Sequence, residues 1–304
     1  MAGSKDLEQV LADLKSLTGI AFQVDAEDPE AVEAAVKQIK QLTSAYKEKY
    51  NKTNFIQNLL MDNILHVDMY NRAKKLRIDI EVNRTVFIVE TRNEEESLVL
   101  ETMQHLFTPQ MQDYITTVDE GSIALVKHMD PDDTEEDMHN VAKMIVDMLN
   151  TEAMAKVRVA YGNPRKKLDT LSKAYKEARM ALEVGRIFYM EEKIIPYGKL
   201  GIGRLIYQLP IPLCKMYLSE VFGDRLPDTF DEETVTTINK FFDNNLNISE
   251  TARQMYIHRN TLVYRLEKLQ RQTGLDIRVF EDALTFKIAT MVASYMKFMK
   301  EDLK

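Results

Sequence analysis

Asn247-Ile-Ser-Glu-Thr-Ala-Arg-Gln-Met-Tyr-Ile-His-Arg-Asn-Thr-Leu-Val-Tyr-Arg-Leu-Glu-Lys-Leu-Gln-Arg271 reads as two short helical patterns around a three-residue break at Tyr256-Ile257-His258. Asn247 or Ser249 can cap the first pattern, giving a side-chain oxygen to orphan backbone N–H groups. Ala252 falls where the two helices would cross, and its small side chain permits close approach. Leu262, Leu266 and Leu269 repeat at i, i+4 and i+7, one apolar face of a second helix. The other face carries Arg259, Asn260, Thr261, Tyr264, Arg265 and Lys268. A helix-turn-helix of this kind can place the first turn of its second helix against base edges in a major groove.

An amphipathic helix with Arg and Lys outside also serves as an ordinary solvated surface helix, so the pattern needs more support. Asn260, Thr261 and Tyr264 do more than solubilise. The cations Arg253, Arg259, Arg265, Lys268, Arg271 and Arg278 outnumber the nearby acids Glu267 and Asp276, in a chain whose formal charge is -8. The basic stretch is therefore local and not a composition effect. The break lacks the glycine common in such motifs and must be made by ordinary residues.

Thr251-Ala252-Arg253, Ile257-His258-Arg259-Asn260-Thr261-Leu262 and Tyr264-Arg265-Leu266 resemble the C-terminal helix-turn-helix signature of the CdaR/PucR transcriptional regulators, and the likeness continues through Thr273-Gly274-Leu275-Asp276. That family tolerates a bulky residue in the turn, and its motif is similar to the Fis-type DNA-binding helix-turn-helix. The resemblance implies a regulator that binds double-stranded DNA as a homodimer and responds to a small-molecule effector. The family names suggest sugar diacids or purine metabolites. No cluster of Arg with Ser or Thr marks a carboxylate pocket, however, and the first 64 residues do not show the family's longer diacid-recognition region.

The bulk composition fits an ordinary folded chain. Its 304 residues suggest two or more domains, and 45% hydrophobic with 29% charged residues is a globular balance. The lone Cys214 excludes an intramolecular disulfide framework and fits a reducing cytoplasm. Placed after Pro212 in an apolar run, it reads as a buried inert thiol. No segment approaches the roughly 20 apolar residues of a membrane span. The polar N-terminus carries no secretory pattern, so a cytoplasmic location is expected.

Upstream, Leu7–Leu17 has helical spacing and Gly19–Val24 is a short strand candidate. Asp28-Pro29-Glu30 opens a helix running through Leu42, with a further helix over Thr53–Ile64. From residue 66 the rhythm changes. A helix at Val67–Leu76 is followed by strand Thr85–Glu90, helix Glu94–Leu106, strands Tyr114–Val118 and Ser122–Val126 around Asp119-Glu120-Gly121, helix Thr134–Leu149, strand Lys156–Tyr161 and helix Leu168–Val184 ended by Gly185. This βαββαβ order belongs to ferredoxin-like and cyclase-like domains, and it resembles the degenerate GGDEF-like middle domain of the same regulators. From Ile194 the chain reads as helical, punctuated by Pro196, Pro210, Pro212 and Pro227, with helices at Asp231–Phe242 and Phe280–Met299. The fold class is α+β. A helical N-terminal unit (1–64) precedes a GGDEF-like domain (65–200), a helical connector (201–230) and an all-α helix-turn-helix domain (231–304).

Catalytic signals are weak. The hairpin keeps acids but lacks Gly-Gly-Asp/Glu-Glu-Phe, and Glu90 alone is a poor metal site; acids in a solvated turn are the simpler reading, and no cyclase activity is expected. Leu200-Gly201-Ile202-Gly203-Arg204 lacks a third glycine and a preceding βαβ strand, so tight packing or capping explains it better. The histidines 66, 105, 128, 139 and 258 show no metal spacing, and no metal or cofactor is expected. The competing readings are a nucleotide-binding or cyclase-related enzyme, which rests on fold analogy, and a helical interaction scaffold. In the leading reading Arg259, Asn260 and Thr261 face the groove floor, where Arg can pair with guanine and Asn with adenine. Tyr264, Arg265 and Lys268 meet phosphates. The helix begun by Ser249 and Thr251 offers backbone N–H groups to a phosphate, and His258 either caps the second helix or donates to a phosphate.

Overall fold

A computed structural model of the chain describes residues 29–107, 112–223 and 230–301, together with 11–12 and 15. The expected helix over Leu7–Leu17 lies largely outside these residues, and the strand over Gly19–Val24 and the cap at Asp28 lie wholly outside them. The chain forms two compact units: residues up to Leu182 with Glu192–Lys199, and Glu183–Glu191 with Leu200 onward.

The first unit is built on a mixed sheet. Helices α1 (Pro29–Leu60) and α2 (His66–Lys75) lead into β1 (Glu81–Glu90). Then follow α3 (Glu96–Leu106), β2 (Tyr114–Asp119), β3 (Ser122–His128), α4 (Glu135–Glu152), β4 (Arg158–Tyr161), β5 (Arg165–Lys167), α5 (Leu171–Phe188) and β6 (Ile194–Pro196). The strand order is β2-β3-β1-β4-β6, with β5 also pairing with β1. Neighbours are antiparallel except β4 with β6, which run parallel. The βαββαβ order expected from the sequence is therefore present, with each crossover leaving one strand between the two it joins.

β1 is central because its sequence fits both faces. It is buried continuously from Arg84 to Val89, as a strand covered on both sides must be. Phe87 and Val89 face α3 and α4 in a core with Val99, Met103, Ile145 and Leu149. Phe87 lies 5.2 Å from the Tyr161 ring of β4. Burial pushes the Tyr161 hydroxyl up to about 12. α4 starts from a reciprocal cap, in which Thr134 and Asp137 each accept from the other's backbone N–H.

Three local expectations need correction. Residues 29–60 form one helix rather than two, because no Gly or Pro interrupts them after Pro29. α5 runs through the buried Gly185 to Phe188 instead of stopping at the glycine. Ile194–Pro196 is a strand: Val159, Ala160 and Tyr161 pair with Ile194, Ile195 and Pro196. Proline is tolerated there because β6 is an edge strand.

The second unit is helical. The end of α5 joins α6 (Gly201–Tyr207), α7 (Ile211–Phe222), α8 (Glu232–Asp243), α9 (Ile248–Gln254), α10 (Arg259–Thr273) and α11 (Phe280–Glu301). One core gathers Ile206 and Cys214 with Val292 and Tyr295 of α11. Cys214 is 1% exposed, and burial pushes its thiol pKa up, in keeping with the inert thiol expected. A Cβ on Gly203 would lie 3.0 Å from Phe188 and 3.1 Å from Val184, so Gly203 serves close packing, whereas Gly201 adopts φ 51° with open space around it. The second core joins Phe241 of α8, Ala252 of α9, Leu262, Leu266 and Leu269 of α10, and Phe286 of α11. Among the described residues, no helix is long and apolar enough to cross a membrane.

Candidate nucleic-acid interface

The helices α8, α9 and α10 form a helix-turn-helix whose turns are closed by backbone geometry rather than by glycine. At the end of α9 the Ile257 N–H bonds to the Ala252 carbonyl at 3.0 Å and the Tyr256 N–H bonds to the Arg253 carbonyl at 3.2 Å. These are the paired bonds of a Schellman motif, which requires a left-handed residue between them. Tyr256 supplies it at φ 54°, at a conformational cost of roughly 1–2 kcal/mol. Its ring is 96% exposed. The end of α8 closes in the same way, with Asn245 at φ 51° and the Leu246 N–H on the Phe241 carbonyl at 2.9 Å. The absent glycine is thus replaced by residues held left-handed.

Each motif helix has a side-chain cap. Asn247, not Ser249, caps α9, accepting from the Glu250 N–H at 3.1 Å. His258 caps α10 through Nδ1, which accepts from the Asn260 N–H at 3.2 Å. An imidazole that accepts at Nδ1 can still donate through Nε2, and His258 is exposed, so capping and donation to a phosphate are compatible for His258. Ser249 is exposed in the first turn of α9.

Thr251 is corrected. It is fully buried, and its hydroxyl donates to the Asn247 carbonyl at 2.7 Å. Its backbone N–H is also taken, by the same carbonyl at 3.0 Å. Thr251 therefore anchors α9 within the fold and has nothing to offer a phosphate.

On α10 the buried positions are Leu262, Leu266, Leu269 and Thr273. At about 100° per residue, the side opposite this stripe carries Asn260, Tyr264, Lys268 and Arg271. Arg259, Asn260, Thr261, Tyr264, Lys268 and Arg271 are all exposed. The Arg271 guanidinium lies over the Tyr264 ring, 5.9 Å from its centroid. Arg271, counted in the sequence only among the local cations, thus belongs to the outer stripe, and no sequence motif marks its contact with Tyr264, seven positions earlier.

The cations are more heavily paired than the sequence count suggested, because their partners sit on neighbouring elements. Arg265 is half-buried. It bonds Glu233 of α8 at 2.6 Å and Thr237 Oγ1 at 3.3 Å, and so ties α10 to α8. Arg253 pairs with Glu250 at 2.6 Å, and Arg278 with Asp276 at 2.7 Å and Glu267 at 3.7 Å. Lys268 stands 3.9 Å from Asp231. Among the described residues, Arg259 has no ion-pair partner. Arg271, in the last turn, forms no ion pair among the described residues either and lies over Tyr264, so Arg259 is the unpaired cation of the first turn of α10.

These pairs set an acid limit on the unit. Hydrogen bonds from Thr234 hold the Asp231 carboxyl below the usual carboxylate range, and the guanidinium groups of Arg253 and Arg278 do the same for Glu250 and Asp276. A carboxylate with a lowered folded-state pKa contributes stability that is complete above its unfolded value and lost as pH falls through the folded one. Denaturant unfolding followed through the helical signal should therefore show a lower midpoint from about pH 5 downward. A midpoint as high at acid as at neutral pH would contradict it.

In the sheet unit one hairpin acid is engaged. Asp119 pairs with Arg179. Gly121 adopts φ 70°, where a Cβ would meet the Thr91 carbonyl at 2.6 Å. Its N–H donates to the Glu96 carboxylate at 2.9 Å. A phosphate at this turn would have to displace that carboxylate and meet its charge.

Residues 62–184 match the GGDEF-like domain family, and residues 234–292 match the PucR C-terminal helix-turn-helix domain family. The chain is 26% identical over 174 residues to the purine catabolism regulatory protein of Bacillus subtilis, covering 56% of this chain and 33% of that protein. It is 27% identical over 229 residues to the carbohydrate diacid regulator of Escherichia coli, covering 71% of this chain and 59% of that one. The proline-responsive transcriptional activator PutR of Bacillus subtilis is 32% identical over 130 residues, 41% of this chain and 31% of its own. The chain thus spans between a third and three fifths of the first two relatives. With the GGDEF-like sheet unit followed by the PucR-type helix-turn-helix, the chain belongs to the CdaR/PucR family of transcriptional regulators.

Proposed function

We propose that the chain binds double-stranded DNA sequence-specifically as a homodimer and regulates transcription in the cytoplasm in response to a small-molecule effector. Residues 231–304 act as the DNA-binding domain, reached through the connector 201–230. Residues 1–64 and the GGDEF-like 65–200 serve sensing and dimerisation. The observation that carries the DNA reading is the exposed first turn of α10. There Arg259, Asn260 and Thr261 project from a helix fixed by Leu262, Leu266 and Leu269 in the core. One recognition helix offers few base contacts, and a two-fold pair reading two half-sites supplies more. An effector acts by binding one of two dimer geometries more tightly than the other. The cyclase-related alternative has fold analogy as its support, and the Glu96 carboxylate on the Gly121 N–H weighs against it.

The test is a salt titration of the full chain against a duplex selected from a random pool and against the unselected pool. Tight, sequence-preferring binding with log affinity falling linearly in log salt is expected, as phosphate contacts release counterions. Adding a panel of metabolites to the same titration reads out the effector as a shift in affinity. Equal binding to both DNAs would remove the sequence-specific reading.

A further inference from the structure

The acidic first turn of α8 lies against the basic face of α10. Glu233 reaches Arg265 at 2.6 Å, and Asp231 stands 3.9 Å from Lys268. Three of these four side chains remain accessible to solvent and ions. Glu233 is 63% exposed, Asp231 58% and Lys268 48%, while Arg265 is 22% exposed. The pairs are thus surface pairs, worth little as stability, yet they occupy cations that the DNA reading would assign to phosphates. Asp231 does not need its charge for its local role, because its α8 cap is a hydrogen bond accepted from the Thr234 N–H at 2.7 Å, which an Asn side chain makes equally well.

Resting on the DNA-binding reading above, we propose that Asp231 and Glu233 are specificity-determining residues: built-in counterions that hold Lys268 and Arg265 and so restrain binding to DNA of arbitrary sequence. Non-specific affinity comes almost wholly from the release of condensed cations by protein charges. A cation already neutralised by its own carboxylate releases fewer of them. Arg259, without an ion pair among the described residues, is left as the strong charge at the base-reading turn. Base contacts then carry a larger share of binding than the cation count of the motif implies. This also accounts for a basic motif within a chain of charge -8: the acids that neutralise the motif are placed against it, on α8 and α9, as well as spread over the rest of the chain.

The experiment is binding of the full chain and its Glu233→Gln and Asp231→Asn variants to an unselected mixed-sequence duplex over a range of salt. One freed phosphate contact steepens the slope of log affinity in log salt by about 0.9, equivalent to about fivefold tighter binding at 0.15 M salt relative to 1 M. That gain is expected in each variant. Adding Arg265→Gln to the first, or Lys268→Gln to the second, should return slope and affinity to the parent values. Unchanged slope and affinity in a folded variant, with the parent binding DNA, would show the pairs to be structural only and overturn the proposal. Should Glu233→Gln fail to fold, Asp231→Asn decides, since it keeps the helix cap. Absence of DNA binding by the parent at every salt concentration would overturn both this proposal and the reading beneath it.

Discussion

Replacing Arg259 by Ala is expected to weaken the preferred DNA sequence by about 1–3 kcal/mol, roughly five- to 150-fold, as for loss of a bidentate guanine contact. Binding to an unselected duplex should fall only by the single-charge increment of about fivefold or less. The asymmetry follows from where the side chain stands. Arg259 is the first residue of α10, exposed, and without an ion pair among the described residues. Its removal opens no cavity and leaves no carboxylate unpaired, so stability should change by no more than about 0.5 kcal/mol. Ala is also a good helix former. Lys268→Ala is the control. Lys268 sits on the outer stripe nine residues further along, about 14 Å up the helix axis at roughly 1.5 Å per residue. Held by Asp231 at 3.9 Å, its charge adds little to phosphate binding in the parent, so Lys268→Ala should change affinity for both DNAs slightly and alike. Equal losses on both DNAs for Arg259→Ala would remove its base-reading role.

How much of this interface could be read from the sequence depends on the range of the interaction concerned. The leucine stripe of α10, the continuous apolar run of β1 and the acids opening α4 are properties of a few successive residues, and they appear in the structure where periodicity puts them. The turn after α9 was harder, because its left-handed position is filled by Tyr256, whose residue type does not advertise that conformation. β6 was missed since three residues ending in proline carry no strand pattern of their own; only pairing with β4 makes them a strand. The burial of Thr251 and the ion pair of Arg265 are hidden from the sequence for a common reason. A hydroxyl facing its own carbonyl four residues back, or a guanidinium facing a carboxylate on another helix, is invisible to a count of outward-facing polar residues. The basic excess of the motif was counted along the chain, whereas electrostatics are settled in space, where Glu233, Asp231 and Glu250 stand beside the cations.

Phe286→Ala should cost the helical unit about 3–5 kcal/mol, the usual toll of emptying a buried aromatic site. Phe286 is fully buried on α11. Its ring meets Phe222 edge-on at 6.2 Å and Phe230 at 6.0 Å. It shares its core with Phe241 of α8, Ala252 of α9 and Leu262, Leu266 and Leu269 of α10, so its loss loosens the packing that all three helices of the helix-turn-helix share. Against a total stability of about 5–15 kcal/mol for a typical domain, the loss takes a large share. At roughly 4–8 °C per kcal/mol for a domain near this size, the unit's thermal transition should fall by at least about 12 °C. Circular dichroism during heating reads this directly, and DNA binding should disappear in step with the helical signal, recovering on cooling if unfolding is reversible. Phe286→Leu retains most of the volume and should cost far less. The contrast with Arg259→Ala separates two ways of losing DNA: one empties the scaffold and melts the motif, the other leaves the melting curve unchanged and removes only the preference for sequence. A Phe286→Ala protein that melts like the parent would mean that this core does not hold α8, α9 and α10 in register.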